Sequence, residues 1–181
     1  MKIIAPEPPV AGLVALRLRR EDFWYAELFF DPPPDGDNPF YRRGLASPLY
    51  REREALIADL KTDGITDAEL RDNGQVDIDR ARRLIGYDMS TDEIGDVITA
   101  WNVLDDLTKS FGVPLGFHGR LADRVYDKLF YGLNLEYFTP PGQCYVPTWQ
   151  PRELAKIDQV LRECGARVAA ASEQASGRVG E

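Results

Sequence analysis

Residues 14–30 read "VALRLRREDFWYAELFF", and their alternation decides the fold class. Val14, Leu16 and Leu18 fall on one side of an extended chain and Ala15, Arg17 and Arg19 on the other, the period of two that marks a half-buried strand. A polar turn at Arg20–Asp22 separates this run from "FWYAELFF" (23–30), whose Trp24, Ala26, Leu28 and Phe30 share a side. The stretch therefore predicts an antiparallel hairpin, with a further short strand expected at Lys2–Ala5. Prolines 32–34 of "DPPPDGDNP" (31–39) then end the β region, because each fixes φ and lacks a backbone donor.

Beyond this hairpin the pattern turns helical. Ser47-Pro48 combines an N-cap residue with proline at the first helical position and predicts a helix to about Lys61, stopped by Gly64. Thr66-x-x-Glu69 and Ser90-x-x-Glu93 have capping-box spacing and predict two more helix starts. From Ser90 to about Ser110, Ile94, Val97, Ile98, Trp101, Leu104 and Leu107 recur at helical spacing. "GRLADRVYDKLF" (119–130) aligns Leu121, Val125 and Leu129 on one stripe. "LNLEYFTPPGQCYVP" (133–147) alternates on either side of Pro141-Gly142, the pair expected at the centre of a type II turn, and predicts a second short hairpin near 133–146. A last helix opens near Pro151 and carries Leu154, Ile157, Leu161 and Cys164, with Gly165 as its expected stop. The expectation is a single, mainly helical α+β domain over 1–171, followed by a disordered tail at 172–181.

At 181 residues and 44% hydrophobic, the chain can bury a substantial core, and its 29% charged residues keep it soluble. "MKIIAPEPPV" lacks the apolar run of a secretory signal, and no eighteen apolar residues occur together, so a cytoplasmic protein without membrane contact is expected. Cys144 and Cys164 have neither metal-site spacing nor a neighbouring histidine and are expected to be reduced thiols. The net charge of −8 is uneven: residues 61–110 hold 6 basic and 12 acidic side chains, three quarters of the excess. Such a field repels phosphate backbones and attracts a basic protein.

Several candidate sites compete with plainer explanations. "ELRDNGQVDIDR" (69–80) resembles half of an EF-hand loop, but with Gly74 at the sixth position, Arg71 and Arg80 occupy the third and twelfth, where calcium needs oxygen. The plainer reading is a helix ending at Asn73-Gly74 and another capped by Asp77. Read as a helix-turn-helix, the same segment would set Arg80, Arg82 and Arg83 toward phosphate, opposed by Asp67, Glu69, Asp72, Asp77 and Asp79; no nucleic acid partner is expected. Asp31, Asp35 and Asp37 suggest hard-cation ligands, yet prolines break their spacing, and neither metal nor cofactor is expected.

His118, the only histidine, could act as a general base, though no nucleophile motif accompanies it. Asp105 lies about 20° from Ile94 round the helix, within the apolar arc, and is expected either to pair with Arg83 or Arg120 or to serve as a cleft carboxylate. Asp92, Asp96 and Asp106 fall on the opposite, solvent-facing side. Between 130 and 149 stand Phe130, Tyr131, Tyr137, Phe138, Tyr145 and Trp149, expected mainly in the core, with the remainder able to form an exposed aromatic patch.

These features favour a binding module over an enzyme. The expected function is that of an acidic cytoplasmic protein-binding module, an inhibitor or immunity-type protein that neutralises a basic partner such as a nuclease toxin. Asp92, Asp96 and Asp106 would steer the encounter, and Tyr137 and Tyr145 would anchor it. The alternatives are a small enzyme using Asp105 with His118 and a scaffold or assembly subunit.

Overall fold

The computed structural model describes residues 9–30, 40–41, 48–112 and 119–177. The strand expected at Lys2–Ala5, the acidic positions of the 31–39 loop, Ser47 and His118 lie outside these residues. Among the described residues three strands and five helices follow in the order β1 (Val10–Leu18), β2 (Glu21–Phe29), α1 (Arg53–Thr62), β3 (Leu70–Asp77), α2 (Ile78–Leu84), α3 (Thr91–Ser110), α4 (Arg120–Gly132) and α5 (Pro151–Gly177). The class is α+β, with the strands in one mixed sheet of order β2-β1-β3. By their internal contacts the residues form two compact units, 1–17 with 21–75 and 172–181, and 18–20 with 76–171. The chain passes between the units inside β1, β3 and α5 rather than at a linker, which is why no composition shift marks a boundary.

The predicted hairpin forms, with its turn tightened to Arg19-Arg20. Both arginines take positive φ, 54° and 66°, the backbone of a two-residue type I′ turn whose twist matches that of the strands. A left-handed conformation costs a residue with a Cβ about 1–2 kcal/mol. As the central strand, β1 buries residues of both parities, including Leu13 and Val14, so it is covered on both faces. Ala11, Leu13, Ala26, Tyr41, Leu56, Leu60 and Ile65 make one core cluster of the first unit, with Trp24 and Leu28 packed against it.

Two helical expectations fail in this unit. α1 begins at Arg53 rather than at Pro48, because Tyr50 pairs with Trp24 of β2 through N–H···O bonds of 2.7 and 2.8 Å, which hold the preceding residues extended. The Thr66–Glu69 capping box does form, with Thr66 N–H donating to the Glu69 carboxylate at 2.6 Å, yet it caps only a single 3₁₀ turn, Asp67–Glu69. Residues 70–77 are then β3 instead of a helix, so neither the helix-turn-helix nor the helix ending at Asn73-Gly74 exists. Leu70–Gln75 are exposed or only half-buried and carry no apolar period; pairing with β1 decides their conformation.

The second unit is helical. Asp77 caps α2 by accepting from Arg80 N–H at 2.7 Å, and Ser90 caps α3 with Glu93 reaching back, both as their spacing predicts. Ile94, Val97, Ile98, Trp101, Leu104 and Leu107 of α3 are all buried. α3 packs against α2 and α4, and Arg82 of α2 forks onto Asp158 of α5 at 2.7 and 2.9 Å. On α4 the buried stripe is Ala122, Val125 and Leu129, with Leu121 half-buried.

Gly165 does not end the last helix, which continues to Gly177 through the first positions of the expected tail. A Cβ at Gly165 would stand 2.9 Å from Leu18 Cδ1, so the glycine permits close approach within the helix rather than termination.

Candidate functional site

The expected second hairpin is absent: residues 133–150 contain no strand. A side chain takes the place of the partner strand. Asn134, in the left-handed region at φ 49°, donates from Nδ2 to the Tyr145 carbonyl (3.0 Å) and accepts the Tyr145 N–H on Oδ1 (2.6 Å). One amide thus reproduces the two-bond pairing of a β bridge and closes residues 134–145 into a loop. Inside it, Gln143 N–H donates to the Pro140 carbonyl at 3.0 Å with Gly142 at φ 77°, the type II turn expected of Pro141-Gly142.

The segment that follows the loop is held by charge. Lys128 Nζ, on α4, donates to the Thr148 carbonyl and to Glu153 Oε2, each at 2.7 Å, and lies 5.7 Å from the Trp149 ring centroid. Glu153 also accepts the Gln150 N–H at 2.9 Å, capping the start of α5. Its side chain is 1% exposed. Burial pushes the Glu153 carboxyl up, but the Lys128 ammonium and the Gln150 N–H outweigh it and hold the group below the ordinary glutamate range. Sequence spacing held a signal for this contact, since Gln150-x-x-Glu153 has capping-box spacing, but glutamine is not among the usual cap residues.

The loop turns its apolar side chains outward. Tyr131, Leu135, Tyr137, Phe138, Tyr145 and Val146 are exposed, Tyr137 at 96% and Val146 at 76%. Of the six aromatics between 130 and 149, only Trp149 is buried, which reverses the expectation that most of them build core. The exposed rings pack on one another: Phe130 meets Phe138 at 5.3 Å and Tyr131 at 5.7 Å between centroids, and Tyr131 meets Tyr145 at 6.2 Å. Tyr131, Phe138 and Tyr145, with Thr139, Pro140, Gln143 and Cys144, line a shallow cleft of about 220 Å³.

The acidic candidates of α3 stand as follows. Asp92 is exposed, Asp96 pairs with Arg80 at 3.0 Å, and Asp106 lies 3.3 Å from Lys109. Asp105 is half-buried and pairs with Lys109 at 2.8 Å, one turn along its own helix, instead of with Arg83 or Arg120. That contact draws the Lys109 pKa above its ordinary value. Cys164 is buried and Cys144 exposed, both as free thiols; burial, with a smaller contribution from the Asp105 charge, pushes the Cys164 thiol up to about 12.

Among the described residues no group of three or more His, Cys, Asp or Glu side chains is placed to hold a metal ion, and no helix is long and apolar enough to cross a membrane. No known protein family, no characterised protein and no solved structure matches the chain.

Proposed function

We propose that the chain is a protein-binding module that anchors a basic partner through the aromatic loop 131–146. The observation that carries this reading is the outward-facing apolar surface of that loop, closed by the Asn134–Tyr145 pairing and followed by the segment that the Lys128–Glu153 ion pair holds. Exposed apolar surface opposes solubility, whereas a rigid aromatic surface loses little entropy on binding. Tyr137 and Tyr145 are anchors in this reading. The net charge of −8 supports a basic partner, with Asp92, Asp96 and Asp106 as the steering carboxylates. An inhibitor that neutralises a basic enzyme, of the immunity type, is the narrower form of the proposal, and two free thiols suit the reducing cytoplasm.

The test is affinity capture from the source organism's lysate with the wild type and with the double variant Tyr137→Ser/Phe138→Ser. A basic protein held by the wild type and lost by the variant supports the reading. The same proteins held by both, with the variant folded, would remove the loop from any binding role.

A further inference from the structure

Resting on that protein-binding reading, we infer that the cleft between Tyr131, Phe138 and Tyr145 receives a proline-rich segment of the partner in the polyproline II conformation, with a basic residue beside it reaching Glu136. Size narrows the occupant first. At about 220 Å³ the cleft falls below the roughly 300–1,000 Å³ of small-molecule sites and accommodates side chains rather than a cofactor. An α-helix, about 10–12 Å across with its side chains, needs a longer groove. Strand addition needs a free backbone edge, and here the Asn134 side chain already occupies both the N–H and the C=O of Tyr145.

Ring orientation narrows it further. Of the rings that line the cleft, Tyr131 and Tyr145 cross at 73°, and the flanking pairs Phe130–Tyr131, Phe130–Phe138 and Tyr137–Phe138 cross at 79°, 63° and 60°. The Tyr131 and Tyr145 rings therefore stand at an angle in the cleft wall and do not form one level platform. A flat nucleobase stacks on a platform, whereas a puckered proline ring wedges its C–H groups into a slot, as polyproline II segments do in aromatic-lined grooves. A polyproline II chain has no internal hydrogen bonds, so its carbonyls seek donors; Tyr131, Tyr145 and Gln143, which line the cleft, carry hydroxyl and amide donors.

Charge supplies the flank. Between Leu133 and Gln150 the only charged residue is Glu136, which is exposed and adjoins Tyr137. With no lysine or arginine in that stretch and a net charge of −8, the surface repels phosphate and accepts an arginine or lysine. Because the Asn134–Tyr145 pairing closes the loop and the polyproline helix is extended before they meet, little conformational entropy is lost.

The test titrates the full chain into a fluorescein-labelled peptide, RPPLPPLPR, followed by anisotropy, against a control peptide with every proline replaced by alanine. The expected result is saturable binding of the first peptide, about tenfold weaker for the control, and a comparable loss on Tyr131→Phe or Tyr145→Phe, which delete only a hydroxyl. Glu136→Gln is expected to weaken binding and flatten its salt dependence. Equal binding of the two peptides, or affinity unchanged by both Tyr→Phe variants, would overturn the inference. So would retention on neutral phosphatidylcholine vesicles without peptide binding, which would make the loop a lipid contact. Should neither peptide bind while Tyr137→Ser/Phe138→Ser still loses a captured protein, the proline-rich occupant is refuted and the protein-binding reading survives; should both experiments fail, both are refuted.

Discussion

Replacing Lys128 by methionine tests whether the ion pair beneath the aromatic loop holds that region together. Methionine preserves most of the aliphatic stem and removes the ammonium, leaving Glu153, 1% exposed, with the Gln150 N–H as its remaining donor among the contacts described. Breaking a buried pair from one side costs about 3–5 kcal/mol, because the surviving charge has lost both water and its counter-ion. Lys128 itself is 20% exposed, so the lower end, about 3 kcal/mol, is expected. With a urea dependence of about 2–3 kcal/mol per molar for a chain of this size, the midpoint seen by tryptophan fluorescence should fall by about 1 M. The double variant Lys128→Met/Glu153→Leu should recover most of that loss, since an apolar pair leaves no stranded charge. Acidity gives a second check. The folded Glu153 carboxyl titrates below its unfolded value of about 4.3, so its contribution is present above that pH and is lost as pH falls through the lower folded value. The gap between wild type and Lys128→Met should therefore narrow in that acid window. A penalty under about 1 kcal/mol at neutral pH, or one unchanged by acid, would show that the pair behaves as an exposed bridge and that the account of the loop is wrong.

Three further outcomes follow from single contacts. Gly165→Ala should destabilise by about 1–3 kcal/mol despite alanine's higher helix propensity, because its Cβ would meet Leu18 Cδ1 at 2.9 Å; a rise in melting temperature would show that the contact relaxes freely. At pH 8 a thiol reagent should modify Cys144 rapidly and Cys164 only on unfolding, as two equivalents released in separate phases; two fast equivalents would contradict the burial of Cys164. Asp77→Ala should cost about 1 kcal/mol through loss of the α2 cap, measured by urea midpoint, and no change would mean that water caps the helix as well.

Where a segment's pattern answers to its own local geometry, the residues alone foretell its conformation. The β1–β2 hairpin follows from alternation, α3 from its capping box and apolar stripe, and the turn at Pro141-Gly142 from the two residues that favour it. The exposure of Tyr137 was legible because an aromatic-rich loop about a Pro-Gly turn cannot bury every ring. Elsewhere, contacts between distant residues set the conformation. Residues 70–77, without an apolar period, become a strand by pairing with β1; Tyr50 is drawn into extended pairing by Trp24; and Gly165 sits inside a helix where a side chain would meet Leu18. The aromatic loop depends most on such partners. Its hairpin-like alternation gives no account of why it remains open, which rests on Asn134 substituting for a strand and on Lys128 and Glu153 meeting from two helices 25 positions apart. A buried ion pair and a side-chain bridge are long-range electrostatic choices, made only when the folded chain brings their members together, and they leave no periodic trace in the residues between.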